Sequence, residues 1–344
     1  MNTATALNYQ DGVYNAGDVE LQSGRIFPDM RLAYRWFGTL NAAKDNVILY
    51  PTSYSAQQQD IDHMVRPGEA LDPEKYFIII PNLFGNGLSS SPSSVPWPLK
   101  GSRYPNVTFL DAVRVQRRML RDIWGIETVA LVYGWSMGAM QAYHWAAHFP
   151  AAVERIAVVC GSARCAPHNR VFIDGARHAL MADPAYADGE FSAFPTRGFR
   201  AMGRVYAGWA LSQDFYREAL WRQLGFSSLE DFMVRYWEQA FSRRAPEDLL
   251  AQFWTWEHGD ISAGETFKGD LPAALRAIEA KVLLMPCDHD LYFRVEDNRL
   301  ELAHLKQGQL DPIRSIWGHR AGNPIGVPEA RAFINEKVMA LLAS

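Results

Sequence analysis

Several classes of protein are excluded by what this sequence has little of. Its 344 residues contain three cysteines, Cys160, Cys165 and Cys287, which form neither a disulfide framework nor a C-x-x-C metal pair. No apolar stretch approaches about 18 residues, so we expect no membrane-spanning helix. Basic runs are absent and the net charge is −4, so we expect no nucleic-acid partner.

The N-terminal segment also lacks features that would direct the chain to another compartment. Residues 1–15 are polar and mildly acidic, without the charged and apolar regions of a signal peptide. With so few cysteines, a reducing compartment is expected, and we predict a cytoplasmic protein. Cys160 and Cys287 each follow an apolar run, so we interpret them as small core residues.

What the sequence does contain is an alternation of short apolar runs and helical patterns. Runs that are apolar throughout are typical of strands in a parallel sheet covered on both faces. Helical patterns between them, at residues 110–124 and 137–148, indicate an α/β fold. The predicted strands cover residues 30–36, 47–50, 77–80, 129–132, 156–159 and 282–285.

This alternation stops after Cys160 and resumes near residue 282. The intervening segment is helical or irregular, shows no convincing strand and is rich in aromatic residues. We therefore predict a core formed by residues 1–162 and 275–344, interrupted by a helical cap over residues 163–274. Most of the cap aromatics are expected to pack the cap, and a minority to line an apolar substrate pocket.

The strongest chemical signal is a G-x-S-x-G pentapeptide centred on Ser136. A predicted strand precedes it and a helical pattern follows it, which is the context of a nucleophile elbow. A side chain at Gly134 or Gly138 would collide with neighbouring backbone and bury the serine. The same turn should aim the N–H of Met137 at a developing oxyanion.

A serine nucleophile needs a histidine base and an acid that orients it. His319 lies between the last apolar segment and the last helix, where the order serine, acid, histidine requires it. The acid should follow residues 282–285, where Asp288 and Asp290 both stand. We choose Asp290 because it lies further beyond the strand end, and Asp288 remains the alternative.

The remaining site residues are predicted from their position after predicted strands or from their spacing, because no catalytic motif includes them. The loop after residues 47–50 should supply the second oxyanion N–H, from Ser53 or else from Thr52 or Tyr54. Asn86 belongs to a Gly-Asn-Gly segment at a strand end, which suits either a turn or a substrate contact. His144 and His148 have the spacing of a metal pair but no evident third ligand. We therefore expect no metal and no cofactor.

Taken together, these segments resemble the homoserine O-acetyltransferase family of α/β-hydrolase proteins. The resemblance rests on residues 134–142, on the segment 104–116 before the elbow, and on residues 71–77 and 85–87. Residues 290–293 and 318–319 complete it, and the match is weakest in the cap. It implies an α/β-hydrolase fold, acylation of the elbow serine, a triad completed by the acid and histidine named above, and a cap that often forms a homodimer.

The departures from that family indicate a changed acceptor. The acetyltransferases carry an aspartate after the catalytic histidine, where this chain has Arg320, and a cation there would repel an ammonium group. Trp135 and Ala139 stand where those enzymes usually carry glycine. We expect Tyr54, Trp135, Asn86 and Arg320 to contact the substrate.

Three functions are compatible with these residues. We predict a serine hydrolase that cleaves a small-molecule ester, thioester or amide through an acyl-enzyme. The alternative is an acyl-CoA-dependent O-acetyltransferase, in which a substrate hydroxyl replaces water. A ligand-binding protein on an inactive hydrolase scaffold is the third, and it would be favoured by a broken triad. The triad here is intact in sequence.

Overall fold

An eight-stranded sheet runs through the computed structural model, which describes residues 7–344. The first six residues of the predicted N-terminal segment lie outside that range. A separate hairpin adds two short strands. In chain order the strands are β1 (Tyr9–Glu20), β2 (Ile26–Phe37), β3 (Val47–Leu49), β4 (Phe77–Pro81), β5 (Leu131–Trp135), β6 (Arg155–Val159), β7 (Tyr186–Ala187), β8 (Glu190–Phe191), β9 (Lys281–Met285) and β10 (Gly308–Leu310).

The large sheet has the order β1-β2-β4-β3-β5-β6-β9-β10. Strand β2 pairs antiparallel with β1 and β4, and every later pairing is parallel. Strands β3 and β4 are buried along their whole length, as are all but one residue each of β5, β6 and β9. Continuous burial explains why they read as uninterrupted apolar runs. The predicted mostly parallel α/β sheet is confirmed.

Helices surround this sheet and form the segment inserted between β6 and β9. They are α1 (Gln58–Ile61), α2 (Phe109–Trp124), α3 (Met137–His148), α4 (Pro167–Met181), α5 (Thr196–Ala210), α6 (Gln213–Arg217), α7 (Leu229–Phe232), α8 (Pro246–Glu257), α9 (Leu271–Arg276), α10 (Val295–Leu302) and α11 (Pro328–Leu342). A 3₁₀ turn, Gly318–Gly322, precedes α11. Across residues 7–344, every helix is too short or too polar to cross a membrane.

Helix α2 shows how local sequence sets these boundaries. Thr108 is its N-cap, and the Thr108 hydroxyl accepts a hydrogen bond from the N–H of Asp111 at 3.1 Å. The Asp111 carboxylate accepts in return from the N–H of Thr108 at 2.9 Å, which completes a capping box. Gly125 ends the helix with a φ of 62°, a left-handed conformation that glycine adopts without strain.

The sheet has two strands that the sequence did not predict. Strand β1 is a polar edge strand whose outward residues are exposed, so it lacks the apolar run typical of a central strand. Strand β10 is three residues long and mostly exposed. The inserted segment also contains the hairpin of β7 and β8, although no strand was expected there.

The inserted helices contact the core through buried polar groups as well as apolar ones. The Asp248 carboxylate on α8 accepts from the N–H of Ser93 at 2.9 Å and from its hydroxyl at 2.6 Å. Burial raises the pKa of Asp248 to about 6. These hydrogen bonds attach α8 to the loop that follows β4. The cap boundaries at residues 163 and 274 remain a prediction.

Candidate active site

Ser136 occupies a strained turn between β5 and α3. Its φ of 57° and ψ of −125° lie outside the regions that non-glycine residues usually adopt. The N–H of Ser136 donates to the carbonyl of Val159 on β6 at 2.9 Å, which anchors the turn to the sheet. Although Ser136 is the N-cap of α3, its hydroxyl makes no capping hydrogen bond. The hydroxyl is therefore not engaged by the helix that follows it.

The two glycines of the pentapeptide are required by close backbone approach. A Cβ at Gly134 would overlap the carbonyl of Gly138, and a Cβ at Gly138 would lie 2.6 Å from the carbonyl oxygen of Pro51. Both neighbours are backbone atoms, which cannot rotate away as a side chain can. Any larger residue would therefore displace α3 or the loop after β3.

His319 is hydrogen-bonded to Asp290 at the carboxyl end of the sheet. The Asp290 Oδ2 atom lies 2.6 Å from Nδ1 of His319, and the two residues are 1% and 6% exposed. The Asp290 Oδ1 atom accepts from the N–H groups of Tyr292 at 2.7 Å and Phe293 at 3.3 Å. With Nδ1 donating to the carboxylate, Nε2 of His319 is the nitrogen left to exchange a proton.

The structure also separates the two candidate aspartates. The Asp288 Oδ1 atom accepts from the N–H of Ser315 at 3.0 Å and lies 2.7 Å from Nδ1 of His289. Through its hydrogen bond with Ser315, Asp288 therefore connects the loop after β9 to the segment that leads to His319. It is Asp290 that the structure brings to His319, as the sequence interpretation preferred.

Aromatic rings enclose His319 on several sides. The Trp135 ring stacks on the imidazole with centroids 5.1 Å apart, and its Nε1 donates to the His319 carbonyl at 3.3 Å. Tyr292 meets the imidazole edge-on at 4.8 Å and Phe293 lies 5.6 Å away. A Cβ at Gly322 would lie 2.5 Å from the Trp135 ring, so a larger residue here would push that ring away from its place. The sequence interpretation did not identify Tyr292 and Phe293 as supports of the histidine.

The candidate oxyanion donors are backbone N–H groups at the start of α3 and in the loop after β3. Met137 is the first residue of α3, and N–H groups in a first helical turn have no acceptor within the helix. The N–H of Thr52 donates to the carbonyl of Pro81 at 3.1 Å, which removes Thr52 from the candidates for the second donor. Ser53 and Tyr54 remain, and both line the same cavity as Ser136.

This cavity has a volume of about 490 Å³ and contains Ser136 and His319 in its wall. Three of the residues predicted to contact the substrate, Trp135, Tyr54 and Arg320, also line it. Tyr54 stacks on Phe253 of α8 at 4.5 Å, which places it between core and cap. A minority of the cap aromatics reach the wall, in agreement with expectation. They are Tyr206, Tyr236, Trp237, Phe241 and Trp256.

Asn86 is placed elsewhere, and its predicted contact with substrate is not supported. Its side-chain amide donates to the carbonyl of Ala56 at 3.0 Å and to Asn82 Oδ1 at 2.9 Å. Its own Oδ1 accepts from the N–H groups of Leu88 and Ser89. The side chain is buried and does not line the cavity of Ser136. The turn-forming alternative therefore describes Asn86.

A polar rim at this cavity was not predicted from the sequence. The Asp60 carboxylate accepts from Nη2 of Arg243 at 2.7 Å and from Nη2 of Arg244 at 2.6 Å. His63 lies 2.8 Å from the Asn323 side chain, and burial lowers the pKa of His63. These residues are far apart in sequence, so no local motif marks them.

One group of side chains within residues 7–344 has the spacing of metal ligands. Ligand atoms of Cys160, Asp290 and His319 lie within 4.8 Å of one another, and all three residues are buried. The hydrogen bond between Asp290 and His319 already accounts for two of them. His144 is instead bonded to the carbonyl of Met140 inside α3.

Comparison with known proteins agrees with this geometry. Residues 64–315 match the family described as alpha/beta hydrolase fold. An ethyl acetate hydrolase of Pseudomonas veronii is 38% identical over 308 residues, 89% of this chain and 88% of that protein. A solved structure of the acetyl esterase MekB superposes with a TM-score of 0.94 and 35% identity, over 97% of both chains.

A relative with lower sequence identity supports the resemblance to the homoserine O-acetyltransferases. A homoserine O-acetyltransferase of Symbiobacterium thermophilum is 30% identical over 338 residues, 88% of this chain and 87% of that protein.

The chain belongs to the α/β-hydrolase family. Within that family it is an enzyme, a hydrolase-like relative of the homoserine acyltransferases, as the sequence predicted.

Proposed function

We propose that this enzyme hydrolyses carboxylic esters with short acyl groups, above all acetyl esters, and that Ser136 is its nucleophile. The observation that carries the proposal is the 2.6 Å hydrogen bond between Asp290 and His319 beside the cavity that contains Ser136. Relatives that cover most of the chain are named as hydrolases of ethyl acetate and of acetyl esters. Together these support an acyl-enzyme mechanism with water as acceptor.

In the first half-reaction, the Oγ atom of Ser136 bonds to the carbonyl carbon of the ester. The serine proton moves to Nε2 of His319, and Asp290 stabilises the resulting imidazolium through Nδ1. The negative charge that develops on the carbonyl oxygen is stabilised by the N–H groups of Met137 and Ser53. When the tetrahedral intermediate collapses, the bond to the alcohol oxygen breaks and His319 returns its proton to that oxygen.

In the second half-reaction, water attacks the acyl group on Ser136. His319 accepts a proton from the water and then gives it to the serine oxygen as the acid departs. The aromatic rings around His319 hold the imidazole in one orientation through both steps, because Trp135 stacks on its face and Tyr292 closes its edge. One ester and one water yield one acid and one alcohol.

The test is hydrolysis of p-nitrophenyl acetate by the wild type and by Ser136→Ala. We expect the variant to lose about 10⁴-fold or more in kcat, since triad residues act as a unit. Ser23→Ala, an exposed serine in the turn between β1 and β2, is the control and should keep full activity. A fluorophosphonate should label the wild type and Ser23→Ala but not Ser136→Ala. Equal labelling of all three proteins would refute the assignment.

Acyl transfer to homoserine is the second candidate, and the 30% identity to a homoserine O-acetyltransferase is what favours it. Arg320 opposes it, because this cation lines the cavity where the amino group of homoserine would enter. Like charges about 4 Å apart repel by about 4 kcal/mol at an effective dielectric constant near 20. We expect acetate, and no O-acetylhomoserine, from acetyl-CoA and homoserine. Faster formation of O-acetylhomoserine than of acetate would reverse the choice.

We also propose a cytoplasmic homodimer. Exposed apolar side chains on the inserted helices, Val171 on α4 and Leu229 on α7 among them, would be covered by a second copy. Cys160, Cys165 and Cys287 are all free and buried, which a reducing compartment maintains. Light scattering coupled to gel filtration tests the dimer, and cell fractionation tests the compartment.

A further inference from the structure

Arg320 is the cationic side chain in the cavity wall that has no carboxylate beside it. Its Nη1 atom donates to the Tyr236 hydroxyl at 3.2 Å, and its guanidinium lies over the rings of Tyr236 and Trp317 at 5.4 and 5.5 Å. Within residues 7–344, no carboxylate oxygen lies within ion-pairing distance of 4.0 Å of it. The aromatic contacts hold the guanidinium in place while leaving its charge uncompensated.

The other charged side chains at the cavity are paired with one another. Asp60 is paired with both Arg243 and Arg244, and Arg243 also lines the cavity. Burial lowers the pKa of His63, so this residue is neutral near pH 7. Asp60 brings one negative charge against the two positive charges of Arg243 and Arg244, and Arg320 adds a further positive charge. The charges at this cavity are therefore positive in sum, and Arg320 is the arginine among them without a carboxylate partner in the described part of the chain.

The position of Arg320 along the chain indicates which part of an ester it meets. His319 must protonate the alcohol oxygen as it leaves, so the alcohol portion has to lie against the imidazole. Arg320 follows His319 in the same 3₁₀ turn, Gly318–Gly322, and lines the same cavity. A group carried on the alcohol portion, beyond the reacting oxygen, can therefore reach Arg320 within this one cavity.

We propose that Arg320 binds a carboxylate carried by the alcohol portion, so that the substrates are acetyl esters of hydroxy carboxylic acids. This inference rests on the proposed esterase function and specifies its substrate class. A guanidinium presents two parallel N–H donors that match the two oxygens of a carboxylate. Hydrolysis consumes one water and yields acetate and the free hydroxy acid, with no other reactant.

The experiment compares two substrates of nearly the same shape, 4-acetoxybutanoate and its neutral amide 4-acetoxybutanamide. For the wild type we expect kcat/KM to be at least about tenfold higher for the carboxylate, mainly through a lower KM. Arg320→Gln should bring the two values to within about twofold by lowering the carboxylate value alone. Arg320→Lys keeps the charge but not the paired donors, and should retain part of the preference.

Two controls test whether the effect belongs to Arg320 and to the alcohol portion of the ester. Arg299→Gln removes an exposed arginine on α10, outside the cavity, and should leave the preference unchanged. Monoethyl succinate carries its carboxylate on the acyl portion, and its kcat/KM should not respond to Arg320→Gln. A response of monoethyl succinate instead of 4-acetoxybutanoate would overturn the assignment to the alcohol portion.

Two further outcomes would refute the proposal. An equal loss for carboxylate and amide in Arg320→Gln would show that the arginine only supports the cavity wall. A wild type without preference for 4-acetoxybutanoate would show that no carboxylate is recognised. Neither outcome affects the proposed esterase function, which fails only if ester hydrolysis survives in Ser136→Ala or is absent from the wild type.

Discussion

Replacing Glu301 should change how the stability of this enzyme depends on pH. Glu301 lies on α10 and is 5% exposed, without a cation beside it in the described range. Its carboxyl oxygens accept from the N–H of Ala163 at 2.7 Å, the Tyr143 hydroxyl at 2.7 Å and Asn298 Nδ2 at 2.8 Å. Burial raises the pKa of Glu301 from 4.5 to about 7, although these hydrogen bonds oppose the shift.

The sign follows from linkage between protonation and folding. Because the folded-state pKa of Glu301 is above the unfolded one, its contribution to stability is fully present below about pH 4.5. That contribution is lost as the pH rises through about 7. A difference between 4.5 and about 7 corresponds to on the order of 3 kcal/mol. Glu301→Gln keeps the size of the side chain and removes the titration.

The assay is urea unfolding of both proteins at several pH values between about 4.5 and 9. The free energy of unfolding of the wild type should fall relative to Glu301→Gln by on the order of 3 kcal/mol across this range. Glu279→Gln, an exposed glutamate, is the matched control and should follow the wild type. Parallel curves for the wild type and Glu301→Gln would show that folding does not change the pKa of Glu301, which would refute the prediction.

Further predictions concern the active site. Asp290→Asn should lower kcat by about 10⁴-fold because the His319 tautomer is lost, whereas Asp288→Asn should cost about tenfold or less. A reversal of these two kcat effects would assign the orienting role to Asp288. Gly134→Ala should abolish esterase activity and lower the free energy of unfolding by about 3 kcal/mol, because its Cβ meets backbone. Gly208→Ala, with open space around its Cβ, should be neutral or stabilising by circular dichroism melting.

Much of the central sheet was predictable because burial on both faces leaves a direct trace in composition. Strand β4, Phe77–Pro81, is wholly buried and reads as an apolar run. The elbow was predictable for a different reason: its serine and both glycines lie within five residues, although Gly138 is also required by the close approach of Pro51. Strand β1 could not be predicted in this way, because an exposed edge strand needs few apolar residues. Its position is fixed by hydrogen bonds to β2, which leave no pattern in the sequence of β1 itself.

The cavity could not be derived in the same way. The wall brings together Tyr54 from the core, Tyr236 from the inserted helices and Arg320 from the last turn, and only the packing of the cap decides which side chains meet. Asn86 illustrates the limit, since a strand-end position suggested a site contact whereas its amide is used up by loop hydrogen bonds. The sequence identifies side chains that are able to react or to bind a ligand. Tertiary packing decides which of these side chains face the substrate cavity.

Two neighbouring residues of one turn, His319 and Arg320, are held in place by separate sets of contacts. This separation bears on how the substrate preference of such an enzyme can change. His319 is fixed by Asp290 and by the stacked Trp135, so its position is set by contacts that do not involve the next residue. Arg320 is held separately, by Tyr236 and Trp317. Under the mechanism we propose, a change at Arg320 would alter the charge near the leaving group while the hydrogen-bonded pair of Asp290 and His319 stays in place. We therefore expect Arg320 variants to keep the kcat of the wild type on neutral acetyl esters. They should differ from the wild type mainly in the KM for acetyl esters that carry a carboxylate.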